Sequence, residues 1–256
     1  MKYLNFLRTY VCLLLGFAAF TACTSEEDDA LIPEGKGYVK LNLNADTGFQ
    51  TKAVDESEYA DVNNYTVQIL DKDGSTVKDW KYTEIPEGLI ELENGSYVLK
   101  AFCGEDKNVS TTSMYVEGTE NFDISGDKKE ISVTCAPVCA RLTIVGEGMD
   151  EVFEDWYAMI GTKAQDGSFY KYDKDGDPVY LKVEKNETIS VNFTFTPISG
   201  KAISPIERTY TVNPNEALKI TLKPAAPENG SLGITITIDG STNDETINIE
   251  IPADWV

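Results

Sequence analysis

Ile189-Ser190-Val191-Asn192-Phe193-Thr194-Phe195-Thr196 carries an apolar side chain at every second position and a polar one between. A strand turns successive side chains to opposite faces, so this segment has one dry face and one wet face. A helix would place its apolar residues three and four apart. The same alternation recurs in both directions along the chain. Upstream it is carried by Val39, Leu41 and Leu43, by Tyr65, Val67 and Ile69, and by Tyr97, Leu99 and Ala101. Ile131, Val133 and Cys135 follow, then Leu142 and Ile144. Downstream it is carried by Leu218, Ile220 and Leu222, by Ile234, Ile236 and Ile238, and by Ile247, Ile249 and Ile251. Half-buried strands of this kind build antiparallel sheets with one solvated face.

Turn chemistry separates the runs. Asp73-Gly74, Asn94-Gly95, Asp166-Gly167, Asp175-Gly176, Asn229-Gly230 and Asp239-Gly240 predict tight hairpins, because these residues tolerate positive φ. Only Met149–Trp156 and Asp55–Val62 read as short helices. So many strands over about 220 residues exceed one small sandwich. Pro137, within Cys135-Ala136-Pro137-Val138-Cys139, breaks the strand pattern. The expected fold is therefore all-β, with two tandem antiparallel β-sandwich domains at 36–138 and 139–256. No period of roughly 20–50 residues recurs, which argues against a propeller or solenoid.

Residues 1–22 read as an address. Lys2 and Arg8 precede Tyr10–Phe20, an unbroken apolar or small run of 11 residues. That is a secretory n-region and h-region, too short to span a bilayer. Phe20-Thr21-Ala22-Cys23 resembles a bacterial lipobox, which implies lipidation of Cys23 as the mature N-terminus. The acidic linker 23–35, opening Thr24-Ser25-Glu26-Glu27-Asp28-Asp29, resembles the surface-export signal of Bacteroidota lipoproteins. The expected location is the outer membrane, held by the lipid and facing the cell exterior.

Gly37-Tyr38-Val39-Lys40-Leu41 opens the first strand run, and Lys52-Ala53 precedes Tyr65-Thr66-Val67-Gln68-Ile69. Trp80-Lys81-Tyr82 leads to Ile90-Glu91-Leu92-Glu93-Asn94-Gly95-Ser96-Tyr97-Val98-Leu99-Lys100-Ala101. Over residues 35–140 these patterns resemble the fimbrillin-type lipoproteins of Bacteroidota. The resemblance implies transthyretin-like sandwiches in tandem, no enzymatic activity, and a fimbrial or adhesive role as tip, anchor or accessory subunit. It also implies that a terminal strand is donated to other fimbrial subunits by strand addition. Thr246, Ile247, Ile249 and Ile251 form the candidate donor or edge strand; the plainer reading, that they complete their own sheet, is the favoured one.

Composition narrows the chemistry. The 256 residues hold 43 acids, 22 bases and no histidine, a net charge of −21. Loss of Lys2 and Arg8 on processing would bring it to −23. A chain this acidic is no nucleic-acid binder. Without histidine it has no Ser-His-Asp or Cys-His arrangement and no His-ligated metal. Cys103, Cys135 and Cys139 are too few for a zinc site, and their disulfide state is open. No pair of carboxylates is singled out for glycoside hydrolysis, so no catalytic residue and no cofactor is expected.

Two constellations remain, each with a plainer alternative. Asp173, Asp175, Asp177 and Glu184 match positions of a calcium loop, although Pro178 stands where that loop needs glycine. A hairpin tip explains them as well. Trp156, Tyr170, Tyr172 and Tyr180 crowd one stretch and could stack on sugar rings, as in a surface glycan-binding lipoprotein serving polysaccharide uptake. Core packing explains them as well.

Overall fold

A computed structural model describes residues 32–49, 56–200, 204–225, 233–239 and 246–250. The deciding stretch forms the middle of an eleven-residue strand, Glu187–Pro197, in which Ile189, Val191, Phe193 and Phe195 are all buried. Each such side chain removed from water contributes roughly 1.5–3 kcal/mol to folding. The described residues hold seventeen strands and five single 3-10 turns, and no α-helix.

The first half contributes β1 (Lys36–Ala45), β2 (Thr66–Asp71), β3 (Thr76–Lys81), β4 (Ile90–Glu93) and β5 (Gly95–Gly104). It continues with β6 (Val109–Ser110), β7 (Tyr115–Ile124) and β8 (Lys128–Pro137). The second half contributes β9 (Cys139–Gly146), β10 (Phe153–Gly161), β11 (Tyr170–Asp173), β12 (Val179–Lys182) and β13 (Glu187–Pro197). It ends with β14 (Ile206–Val212), β15 (Ala217–Ala225), β16 (Gly233–Asp239) and β17 (Thr246–Glu250). Val138 alone separates β8 from β9. All of these strands lie in one compact unit, Glu34–Val256.

Strand order in the first half is β3-β2-β5-β7-β8-β1-β4. Its two parts, β3-β2-β5-β7 and β8-β1-β4, are joined only by the short pairing Val116↔Pro137 and Glu117↔Ala136. The second half has β11-β10-β13-β14 and, separately, β17-β16-β15-β9-β12-β6. Two pairs are parallel, β1 with β8 and β9 with β15, against the all-antiparallel expectation. They reveal a repeat. In each half the first strand lies between the fourth (antiparallel) and a later parallel strand, β8 in the first half and β15 in the second, and the second strand lies between the third and the fifth. Strands β1 to β5, β7 and β8 thus correspond in order to β9 to β15, a duplication without a short sequence period.

Two cores form, and the first also takes in Cys139 and Tyr180 from the second half. Val39, Val67, Leu99, Val116 and Val133 centre the first; Leu142, Trp156, Phe193, Ile220 and Ile236 centre the second. The expected helix at Met149–Trp156 is a 3-10 turn at Met149–Glu151 followed by β10. A bulge between Phe153 and Asp155 puts an extra residue into the strand. Phe153 and Trp156 are therefore both buried at a spacing of three, which imitates a helix in the sequence. At 55–62 the described residues form 3-10 turns, Ser57–Tyr59 and Val62–Asn64; Asp55 lies outside them.

The turn signals divide. Asp73-Gly74 closes the β2–β3 hairpin with Gly74 at φ 79°, and the Asp71 carboxylate accepts from the N–H groups of Asp73 and Ser75. Asp166 and Gly167 both adopt positive φ between β10 and β11. Asn94-Gly95 makes no hairpin: β4 pairs with β1, whereas β5 pairs with β2 and β7. Asp175-Gly176 likewise links β11, on β10, to β12, on β9. Asn229-Gly230 and Gly240 lie outside the described residues.

Candidate functional site

Residues of both halves converge on one largely buried carboxylate, Glu56. Arg141, on β9, is 2% exposed and donates from Nη1 to Glu56 Oε1 at 2.8 Å. The Tyr180 hydroxyl, on β12, donates to the same oxygen at 2.9 Å. Phe49 closes the cluster: the Arg141 guanidinium lies 4.9 Å from its ring centroid, and the Tyr180 ring lies 6.2 Å away. Burial and the neighbouring carboxylate both hold the Tyr180 phenol well above its usual range. A charge this deep is tolerated because it is paired and bonded. Arg141 stands in an otherwise apolar, buried run, Cys139-Ala140-Arg141-Leu142. That lone charge is the signal of the pair that the sequence carries.

A second link crosses beside it. Strand β6 of the first half pairs with β12 through Ser110↔Tyr180 and Val109↔Leu181. Lys182 binds Asp106 at 2.8 Å, and the Asn108 side chain donates to the Ala164 carbonyl at 2.7 Å.

The aromatic candidates do not form an outward platform. Trp156 is 2% exposed, Tyr172 fully buried and Tyr180 7% exposed, while Tyr170 packs half-buried against the second core. Tyr172 is turned inward with its partner Ala158, so the side expected to meet sugar is core. Its hydroxyl donates to the Gly176 carbonyl at 2.8 Å and accepts from the Ile144 N–H at 3.2 Å, and burial raises its pKa.

The acidic candidates are not gathered either. Asp173 pairs with Lys171, and Glu184 pairs with Lys163 at 2.7 Å. The Gly176 N–H donates to the Asp173 carbonyl at 2.9 Å, so Asp173, Asp175 and Asp177 stand on or beside a turn between sheets. Among the described residues no group of three or more acids or cysteines is placed to hold a metal. Cys103, Cys135 and Cys139 are free thiols, the last two buried. Burial pushes the Cys135 thiol up to about 12 and the Cys139 thiol up to about 11.

Strand β17 (Thr246–Glu250) pairs antiparallel with β16 and lies at the outer edge of the six-stranded sheet. Ile251 and Cys23 lie outside the described residues. Two open hollows lie on the first half. One, of about 230 Å³, is lined by Leu41, Tyr82, Ile85, Pro86 and Ile90, with Lys40 and Glu87 exposed around it. The other, of about 240 Å³, is lined by Lys72, Ser96, Tyr97, Asn121, Phe122 and Asp123.

A family model described as "Domain of unknown function (DUF4493)" matches residues 35–253. No curated protein matches the chain. Among solved structures, the chain is similar to the fimbrial anchor protein Mfa2 from Porphyromonas gingivalis, at 14% identity and a TM-score of 0.45, over 84% of this chain and 99% of that one. It is also similar to a fimbrial assembly protein from Parabacteroides distasonis, at 13% identity and a TM-score of 0.43, over 83% of this chain and 98% of that one.

Proposed function

The chain belongs to the family described as domain of unknown function (DUF4493), and from that premise we propose that it is a non-enzymatic cell-surface lipoprotein, a fimbrial or adhesin component that acts through surface and strand contacts. Cys23 carries the lipid in this reading. Residues 36–138 and 139–256 are its two domains, and other subunits or surface glycans are its partners. The observation that carries the proposal is the edge position of β17. An edge strand presents a row of backbone donors and acceptors to a neighbour, which is the basis of strand addition. The strong negative charge keeps such a surface soluble and away from anionic headgroups.

Electron microscopy and size analysis of the processed chain test the proposal. Complexes or filaments are expected, and deletion of 246–256 should abolish them while circular dichroism stays β-rich. Assemblies that survive the deletion would overturn the role given to β17. Cys23→Ala should abolish labelling by a fatty-acid probe, and retained labelling would remove the anchor.

Glycan binding is a second reading, favoured by the 240 Å³ hollow. Tyr97 stacks on Phe122 there, with ring centroids 5.6 Å apart, beside an amine, an amide and a carboxylate. Retarded migration in polysaccharide gels that Tyr97→Ala relieves would favour it over the strand-contact reading.

A further inference from the structure

Two corners of the fold hold the same place in the repeated topology and are finished differently. In the second half β12 pairs with β9 only as far as Leu142↔Val179. The Arg141 N–H points the other way, to the Glu216 carbonyl just before β15, at 2.9 Å. Backbone groups alternate sides along a strand, so Ile144 turns its N–H and C=O to the β12 side, past the end of β12. Tyr172 fills that corner. Its ring is buried in the core, and its hydroxyl accepts from the Ile144 N–H and donates to Gly176. A phenol thus closes the edge: the ring supplies apolar contact and the hydroxyl satisfies the strand.

In the first half β4 pairs with β1 only as far as Val39↔Ile90. The Tyr38 N–H donates to the Asp127 carbonyl, just before β8, at 2.8 Å. By the same alternation Leu41 turns its backbone toward the β4 side, past the end of β4. Leu41 is thus the counterpart of Ile144. The corner it faces is the open hollow of about 230 Å³, lined by Leu41, Tyr82, Ile85, Pro86 and Ile90 together with Lys40, Glu87 and Gly88.

We infer that this hollow is a binding site for a phenol ring, which would occupy it as Tyr172 occupies the corner of the other half. The side chains of Tyr82, Ile85, Pro86 and Ile90 take the ring, and the Leu41 backbone takes the hydroxyl. The ligand class is a neutral phenol, either a small free molecule or the side chain of a tyrosyl peptide. The inference does not depend on the adhesin reading.

Nuclear magnetic resonance titration of the processed, ¹⁵N-labelled chain with p-cresol tests it, with toluene as the ring lacking a hydroxyl. Saturable shifts are expected at the Leu41 amide and across residues 82–90, with p-cresol binding about tenfold tighter than toluene, the worth of one net hydrogen bond. Ile85→Trp should fill the hollow and abolish the shifts. Absent shifts at those amides, equal affinity for toluene, or undiminished binding by a folded Ile85→Trp protein would each overturn the inference. If that variant does not fold, the p-cresol and toluene comparison on the native chain decides. A Gly-Tyr-Gly peptide that shifts the same amides would assign the site to tyrosyl side chains. Shifts with p-cresol alone would assign it to free phenols, and either result supports a phenol site.

Discussion

Strands β8 and β15 hold the same place in their halves, each parallel to the half's first strand, and their other flanks differ. On β8 that flank pairs with β7 through two residues only, Pro137 and Ala136. On β15 it is covered by β16 over Lys219–Ala225, and β17 follows outside. The corners differ in the same sense, filled by Tyr172 in the second half and open beside Leu41 in the first. The repeated strand order secures two cores, while the edges are free to diverge. Binding by this molecule is therefore to be sought along the edges rather than inside either core.

The first way to break the comparison is to disconnect the halves. Glu56→Ala removes the carboxylate that Arg141 and Tyr180 share across the junction. Taking one member from a buried ion pair costs about 3–5 kcal/mol. Urea unfolding should show a loss of that order, with one transition separating into two. A loss under about 1 kcal/mol with a single transition would mean that the halves are coupled by strand pairing, chiefly β6 on β12, and not by this charge.

Alkaline pH should separate the halves by their chemistry. Both buried thiols, Cys135 and Cys139, lie in the first core. Burial raises Cys139 from 9.0 to about 11, so the folded chain keeps a proton that the unfolded chain releases. The share of stability that depends on Cys139 should therefore fall as pH rises from 9 toward 11 and level off above that. A rise of that size corresponds to at most about 2.7 kcal/mol. Cys139→Ala should flatten the fall while lowering stability at neutral pH. Probes in the second half, such as Trp156 fluorescence, should respond only through the junction. An unchanged pH slope in the variant would assign the fall to tyrosines instead.

Most of the strand frame was legible because alternation is a local property: within the described residues, every run read from the sequence lies in a strand or, like Tyr65, immediately before one. β10 was misread because a bulge puts Phe153 and Trp156 three apart. The repeat was hidden because it resides in pairing order, which depends on contacts far apart in sequence. Candidate surface aromatics failed for a related reason. Tyr170 and Tyr172 share a face by parity, but parity does not say which face meets the core, and Tyr172 lies fully buried. The Glu56–Arg141 pair spans 85 positions, and only the lone arginine in an apolar run announced it.

The smallest effect bears most directly on the paired corners. Tyr172→Phe keeps the ring and removes one hydroxyl, leaving the Ile144 N–H and the Gly176 carbonyl without that partner. Loss of hydrogen bonds to buried backbone groups costs roughly 1–3 kcal/mol. Tyr82→Phe, beside the open corner of the first half, should change stability by less than about 0.5 kcal/mol, as expected where no buried network is broken. Thermal unfolding of the two variants side by side measures the difference. Equal effects would mean that the hydroxyl of Tyr172 does not close its corner, and the two halves would then be finished alike. A larger effect at Tyr172 requires that the second half closes its sheet edge with a phenol hydroxyl, which no residue beside the hollow of the first half matches in energetic weight.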